Sequence, residues 1–144
     1  MSSYDRASQI DAGCRLIAAG RQMARDLAAM VRGSGVSEAE FRLLWLLRSK
    51  SASEPCQSRD QKQLAERLGL SPAQVSALVE RLRAEDKIVA SPTLGDRRRQ
   101  VWQLTPTGVA LVSELSRLLE TSLGVSPGCD IADMLHDAQP QEAA

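Results

Sequence analysis

Residues 64–82 read LAERLGLSPAQVSALVERL, and this stretch decides the fold. Leu64, Ala65 and Leu68 recur at helical spacing, and Gly69 supplies the left-handed residue that ends a helix. Only Leu70 separates that stop from a new start. Ser71 is an N-cap, Pro72 suits the first helical position, where no N–H is needed, and Gln74 completes Ser-x-x-Gln. Val75, Leu78, Val79 and Leu82 follow at i, i+3, i+4 and i+7, which predicts a helix over about 72–86 with one buried stripe. The opposite side carries Ala73, Ala77 and Glu80, flanked by Gln74, Ser76 and Arg81. Two helices joined by a three-residue turn containing glycine form a helix-turn-helix, whose second helix can approach the floor of a DNA major groove when its outer residues are small.

Downstream lie two short β signals, Lys87–Ser91 and Gln100–Leu104, joined by residues 92–99, PTLGDRRR. They predict a hairpin with a basic tip. Three adjacent arginines cannot all be neutralised by Asp96, so some of them face solvent or an anion. Thr105 then caps a helix opened by Pro106, with apolar rows at Val109, Val112, Leu115, Leu119 and at Leu111, Leu118 up to Gly124. A short amphipathic segment around Ile131, Met134 and Leu135 precedes a frayed tail.

Upstream, Ser37-x-x-Glu40 is a second capping box, with Val36 and Phe41 placed for a hydrophobic staple. The helix it opens, from Glu38 to about Ser49, is expected to turn Phe41, Leu44, Trp45 and Leu47 inward, and Lys50–Ser58 reads as a polar loop. Residues 4–32 read as one long helix with two apolar rows, Ile10, Cys14, Ile17, Ala24, Leu27, Ala28, Val31 and Leu16, Met23, Met30. Gly13 and Gly20 in its interior suggest a bend or the close approach of another backbone. So broad an apolar surface at one end of a small chain points to a dimer interface.

Composition narrows the function classes. The 144 residues suit one ordinary domain, and 43% apolar content is enough for a core. No apolar run approaches the roughly 20 residues that span a bilayer, and the first residues lack a signal pattern, so a soluble cytoplasmic protein with no membrane partner is expected. Four aromatics, Tyr4, Phe41, Trp45 and Trp102, are too few for a single-strand stacking platform. Net charge is zero, yet residues 59–99 carry 9 basic against 6 acidic groups and residues 100–144 carry 1 against 6, so the positive excess sits around the helix-turn-helix and hairpin. Fifteen of the 18 basic residues are arginines, which fits phosphate forks or simply a codon bias. Cys14, Cys56 and Cys129 are too widely spaced for a metal knuckle, and the only histidine is His136, so no cofactor, metal site or catalytic pair is expected. The chain does not read as an enzyme.

A helix-turn-helix followed at once by a basic hairpin is a winged helix, mainly α with a small β-hairpin. In order and spacing from about residue 36 to 120, the chain resembles the MarR (multiple antibiotic resistance regulator) family of bacterial winged-helix transcription factors. The resemblance is carried by Leu64 to Ser71, Val75-Ser76, Leu78 to Leu82, Gly95-Asp96-Arg97-Arg98-Arg99 and Leu104-Thr105-Pro106-Thr107-Gly108. It implies a sequence-specific regulator of double-stranded DNA, a homodimer on a pseudo-palindromic operator, usually a repressor released by a small-molecule effector. Residues 1–35 and 106–144 would be dimerisation helices and 36–105 the DNA-binding domain.

Carried over by position, Ser71, Gln74, Ser76 and Ala77 line the recognition helix with Arg81 beside them, Arg98 enters the minor groove between Arg97 and Arg99, and Asp96 braces the wing. Ala77 departs from the arginine of many relatives, which removes a guanine-reading fork. Residues 84–87, Ala-Glu-Asp-Lys, replace the usual glycine-containing helix end. Two further readings are a winged-helix protein-interaction module that binds no specific DNA, and a thiol-based redox sensor using Cys14. Family sensors of that kind place tyrosines near a first-helix cysteine, whereas Tyr4 is the only tyrosine here, and the apolar row containing Cys14 favours a buried, inert thiol.

Overall fold

The computed structural model describes residues 3–48, 59–91 and 100–123. Eight elements follow in chain order: α1 (Ser3–Met30), α2 (Glu38–Leu47), β1 (Arg59–Asp60), α3 (Gln61–Leu68), α4 (Pro72–Ala84), β2 (Ile88–Ser91), β3 (Val101–Leu104) and α5 (Pro106–Leu123). The chain divides into two compact units, Val31–Arg117 and the pair of end segments Met1–Met30 with Leu118–Ala144. The wing tip 92–99, the loop 49–58 with Cys56, and residues 124–144 with the segment 131–135 lie outside the described residues.

The Val31–Arg117 unit begins with a turn in which Gly33 and Gly35 take φ 86° and 84°. Ser37 then caps α2 through a complete capping box: its hydroxyl accepts the Glu40 N–H at 3.2 Å, and the Glu40 carboxylate accepts the Ser37 N–H at 2.8 Å. Asp60 and Gln63 repeat the device on α3, and Ser71 and Gln74 on α4. Gly69 ends α3 at φ 65°, as the sequence predicts. α3 packs on α4, and α2 packs against both and against β3. The core between them is Leu43, Leu44, Leu47, Leu64, Val75, Val79, Leu82 and Ile88, each at most 1% exposed.

Three expectations for this unit need correcting. The hairpin is part of a three-stranded antiparallel sheet in the order β1-β3-β2, with Arg59 opposite Trp102 and Ile88 opposite Leu104. β1 is two residues long, too short for an alternating pattern to announce it. In α2 the buried stripe is Glu40, Leu43, Leu44, Leu47, with Phe41 beside it, and Trp45 faces outward at 37% exposure under the Arg48 guanidinium, 3.5 Å from its ring centroid. The stripe escaped an apolar count because its first member is a carboxylate. Leu78 is only half-buried, unlike the rest of the α4 stripe.

α1 runs unbroken through Gly13 and Gly20, and a Cβ at either would meet open space, so neither marks a close backbone approach among the described residues. Ile10, Leu16, Ile17 and Met23 are between 46% and 66% exposed, and Leu118 on α5 is 46% exposed. Cys14 is exposed with them, which corrects the expectation of a buried thiol: the described residues leave Ile10 and Ile17 on either side of it in the same row exposed, and the row is buried only at its far end, at Val31. No described helix is long and apolar enough to cross a membrane.

Candidate nucleic-acid interface

The site is the outer face of α4. Val75, Val79 and Leu82 are wholly buried and fix the helix rotation, which leaves Ala73, Gln74, Ser76, Ala77, Glu80 and Arg81 exposed on the other side. Gln74 is the one long polar side chain in the first two turns, residues 72–79. Its amide completes the α4 capping box: Oε1 accepts the Ser71 N–H at 3.0 Å and the Ser71 hydroxyl at 3.1 Å, while that hydroxyl accepts the Gln74 N–H at 3.3 Å. A cap of this kind is worth about 1 kcal/mol, so Ser71 and Gln74 hold the start of the helix as well as its exposed face.

Arg81, one helical turn beyond Ala77, is not an unpartnered cation. Its Nε lies 3.0 Å from Glu40 Oε1, and its side chain is still 63% exposed. The Nε edge of the guanidinium therefore meets the start of α2 while most of the side chain stays in solvent. Further along, Arg83 pairs with Glu80 at 3.1 Å. The helix-turn-helix is also tied from the side by Arg42 of α2, whose Nη1 donates to the Leu68 carbonyl at 3.1 Å.

The end of α4 is joined to α5. Asp86 sits at φ 58°, so the residue replacing a glycine takes the left-handed conformation a glycine would have taken. Thr105 caps the turn: its hydroxyl donates to the Asp86 carbonyl at 2.6 Å and accepts the Gly108 N–H at 3.1 Å, while its own N–H donates to the Lys87 carbonyl at 3.1 Å. Gly108 packs so closely that a Cβ there would lie 2.1 Å from the Lys87 carbonyl oxygen. This explains the Leu-Thr-Pro-Thr-Gly run in physical terms. Lys87 forms an ion pair with Glu85, and the lysine beside it holds the Glu85 carboxyl below its ordinary value.

Of the residues singled out from sequence, Ser71, Gln74, Ser76, Ala77 and Arg81 come together on α4. Asp96, Arg97, Arg98 and Arg99 lie outside the described residues, and Cys14 lies on α1 in the other unit. Glu40 was missed as a partner of the site. Its signal was present: a glutamate in register with Leu43, Leu44 and Leu47 on a helix must be buried and paired.

The MarR family model matches residues 34–99, from the turn before α2 to the last wing arginine. Among solved structures, the chain is similar to the transcriptional repressor CouR bound to a 23-mer DNA duplex, at 26% identity over 87% of each chain and a TM-score of 0.63. It is similar to Bordetella bronchiseptica BpsR, a structure concerned with regulation of DNA binding by 6-hydroxynicotinic acid, at 24% identity over 87% of this chain and 86% of that one, TM-score 0.62. The apo form of MarR from E. coli shares the fold at 15% identity, over 89% of this chain and 96% of that one, TM-score 0.68. No curated protein sequence matches the chain.

Proposed function

We propose, from the match of residues 34–99 to the MarR family model, that the chain is a sequence-specific regulator of double-stranded DNA acting as a homodimer. The carrying observation is α4, with Val75, Val79 and Leu82 buried and a low-relief face of Ala73, Gln74, Ser76 and Ala77 turned outward. Small side chains let the helix backbone come near base edges. Arg81 sits beside that face and reaches a phosphate with its terminal nitrogens, and Arg97, Arg98 and Arg99 of the wing grip the backbone and minor groove, braced by Asp96.

A homodimer covers the apolar side chains that a single chain leaves exposed, Ile10, Ile17, Met23 and Leu118, with residues 1–35 and 106–144 as dimerisation segments and 36–105 as the DNA-binding domain. The operator is then a pseudo-palindrome whose half-sites lie about 34–36 Å apart. The protein is a repressor whose DNA binding answers to a small molecule, as the DNA binding of BpsR is regulated by 6-hydroxynicotinic acid. It is a binding protein, not an enzyme.

The test is selection of binding sequences from a random duplex pool, followed by titration of the selected duplex against scrambled DNA at two salt concentrations. A two-fold-symmetric winner bound at least ~10³-fold tighter than scrambled duplex supports the proposal. Arg98→Ala is expected to weaken binding to all DNA and to flatten its salt dependence. No enrichment by the folded protein overturns the proposal in favour of a protein-interaction module.

A further inference from the structure

We infer that Gln74 reads its base pair as a donor only, selecting the acceptor edge of guanine and refusing the two-way amide contact with adenine; this rests on the DNA-binding reading above. The Ser71 backbone N–H can only donate, so the atom 3.0 Å from it must be Gln74 Oε1 and not Nε2. The Ser71 hydroxyl donates to the same oxygen at 3.1 Å while one of its lone pairs accepts the Gln74 N–H at 3.3 Å. A carbonyl oxygen has two lone pairs, and both are now used.

Nε2, at the other end of the amide, has no partner among the described residues, and the side chain is exposed. Ala73 and Ala77 beside it present no competing polar group. A glutamine reads adenine by accepting from N6–H₂ through its oxygen while donating to N7 through its nitrogen. Here that contact requires the capping box to open. Guanine offers O6 and N7, two adjacent acceptors, to the two N–H bonds of Nε2 with the box intact. The same bonds that start the recognition helix therefore decide what its one long polar side chain can say to a base.

Gln74→Glu separates the two roles, because glutamate serves equally well as the third residue of a capping box but carries no donor when ionised. The duplex selected by the wild-type protein is changed one base pair at a time, and wild type and Gln74→Glu are titrated against each variant and against scrambled DNA. Thermal unfolding of both proteins is followed in parallel. The expected result is an unchanged melting temperature and loss of an about 10-fold guanine preference at one position of each half-site. Replacing that guanine by 7-deazaguanine should weaken wild type and leave Gln74→Glu unaffected.

Two results overturn the inference while leaving the DNA-binding reading standing. One is a selected site at which Gln74→Glu keeps every base preference of wild type. The other is an adenine preference, lost in Gln74→Glu, that also disappears when the adenine N6 amino group is removed. Failure to select any site overturns the DNA-binding reading itself, and the role of Gln74 falls with it.

Discussion

Arg81 on the exposed face of α4 and Glu40 at the start of α2 form an ion pair, Nε to Oε1 at 3.0 Å, with the arginine side chain 63% exposed and the glutamate 1% exposed. The carboxylate does two jobs. One oxygen accepts the Ser37 N–H and closes the α2 cap, and the other meets the helix that faces DNA in the proposed function. Removing a buried carboxylate's partners is more damaging than removing the whole arrangement, because an unpaired charge is left behind.

Glu40→Ala is therefore expected to destabilise the fold by about 2–3 kcal/mol, combining a lost cap with a lost pair and a void. Arg81→Ala should cost a similar amount, about 2–3 kcal/mol: the arginine itself is largely in water, but its loss leaves the Glu40 carboxylate buried with its charge unmatched. Urea unfolding of the two single variants and the double variant checks this. A double-mutant cycle with no coupling would mean that the pair contributes nothing to stability.

Gly108→Ala places a methyl group on the Lys87 carbonyl oxygen, a backbone atom that cannot swing aside. The helix-propensity gain of about 1 kcal/mol is outweighed, and a net loss of roughly 2–4 kcal/mol is expected. Thr105→Val, which keeps the shape and removes the cap, should cost about 1–2 kcal/mol. Thermal unfolding of both variants gives the order.

Asp86 holds a left-handed backbone at φ 58°. Aspartate tolerates this region better than most residues, so Asp86→Gly should stabilise by only about 0.5 kcal/mol, whereas the β-branched Asp86→Val should destabilise by about 1–2 kcal/mol. Equal stability of the two variants in chemical denaturation would contradict a strained position.

The Glu85 carboxyl is lowered by its hydrogen bond to Lys87 and by that residue's charge. Its contribution is present above the ordinary glutamate range and is lost as pH falls through the lowered folded value. The pair is on the surface, so it accounts for only a few tenths of a kcal/mol. Lys87→Met should lower stability slightly at neutral pH and make no difference near pH 2, measured by denaturant midpoints across that range.

The capping boxes, the Gly69 stop and the α4 stripe were legible because each is a local pattern: a hydrogen bond reaching three residues, a glycine at a left-handed position, a period of 3.6. The outer face of α4 follows from that stripe by geometry. Trp45 was assigned to the wrong side for a reason that is also physical. Apolar counting gives a tryptophan more weight than a glutamate, but Glu40 has its charge met by Arg81 and its second oxygen by Ser37, which lets the helix rotate the carboxylate inward and the indole out beneath Arg48.

Sequence by itself determined the helix starts and stops, the helix-turn-helix and the residues that face outward from it, since all of these are set by interactions within a few residues of one another. Tertiary structure alone decided that β1 adds to the sheet, that Glu40 reaches Arg81, that Thr105 and Gly108 close on residues 86 and 87, and that Ile10, Leu16, Ile17 and Met23 of α1 stand exposed. Those relationships join residues roughly 20 to 40 positions apart, or concern which surfaces lack a cover. No local propensity encodes either one, because each depends on where the packed core brings distant backbone together.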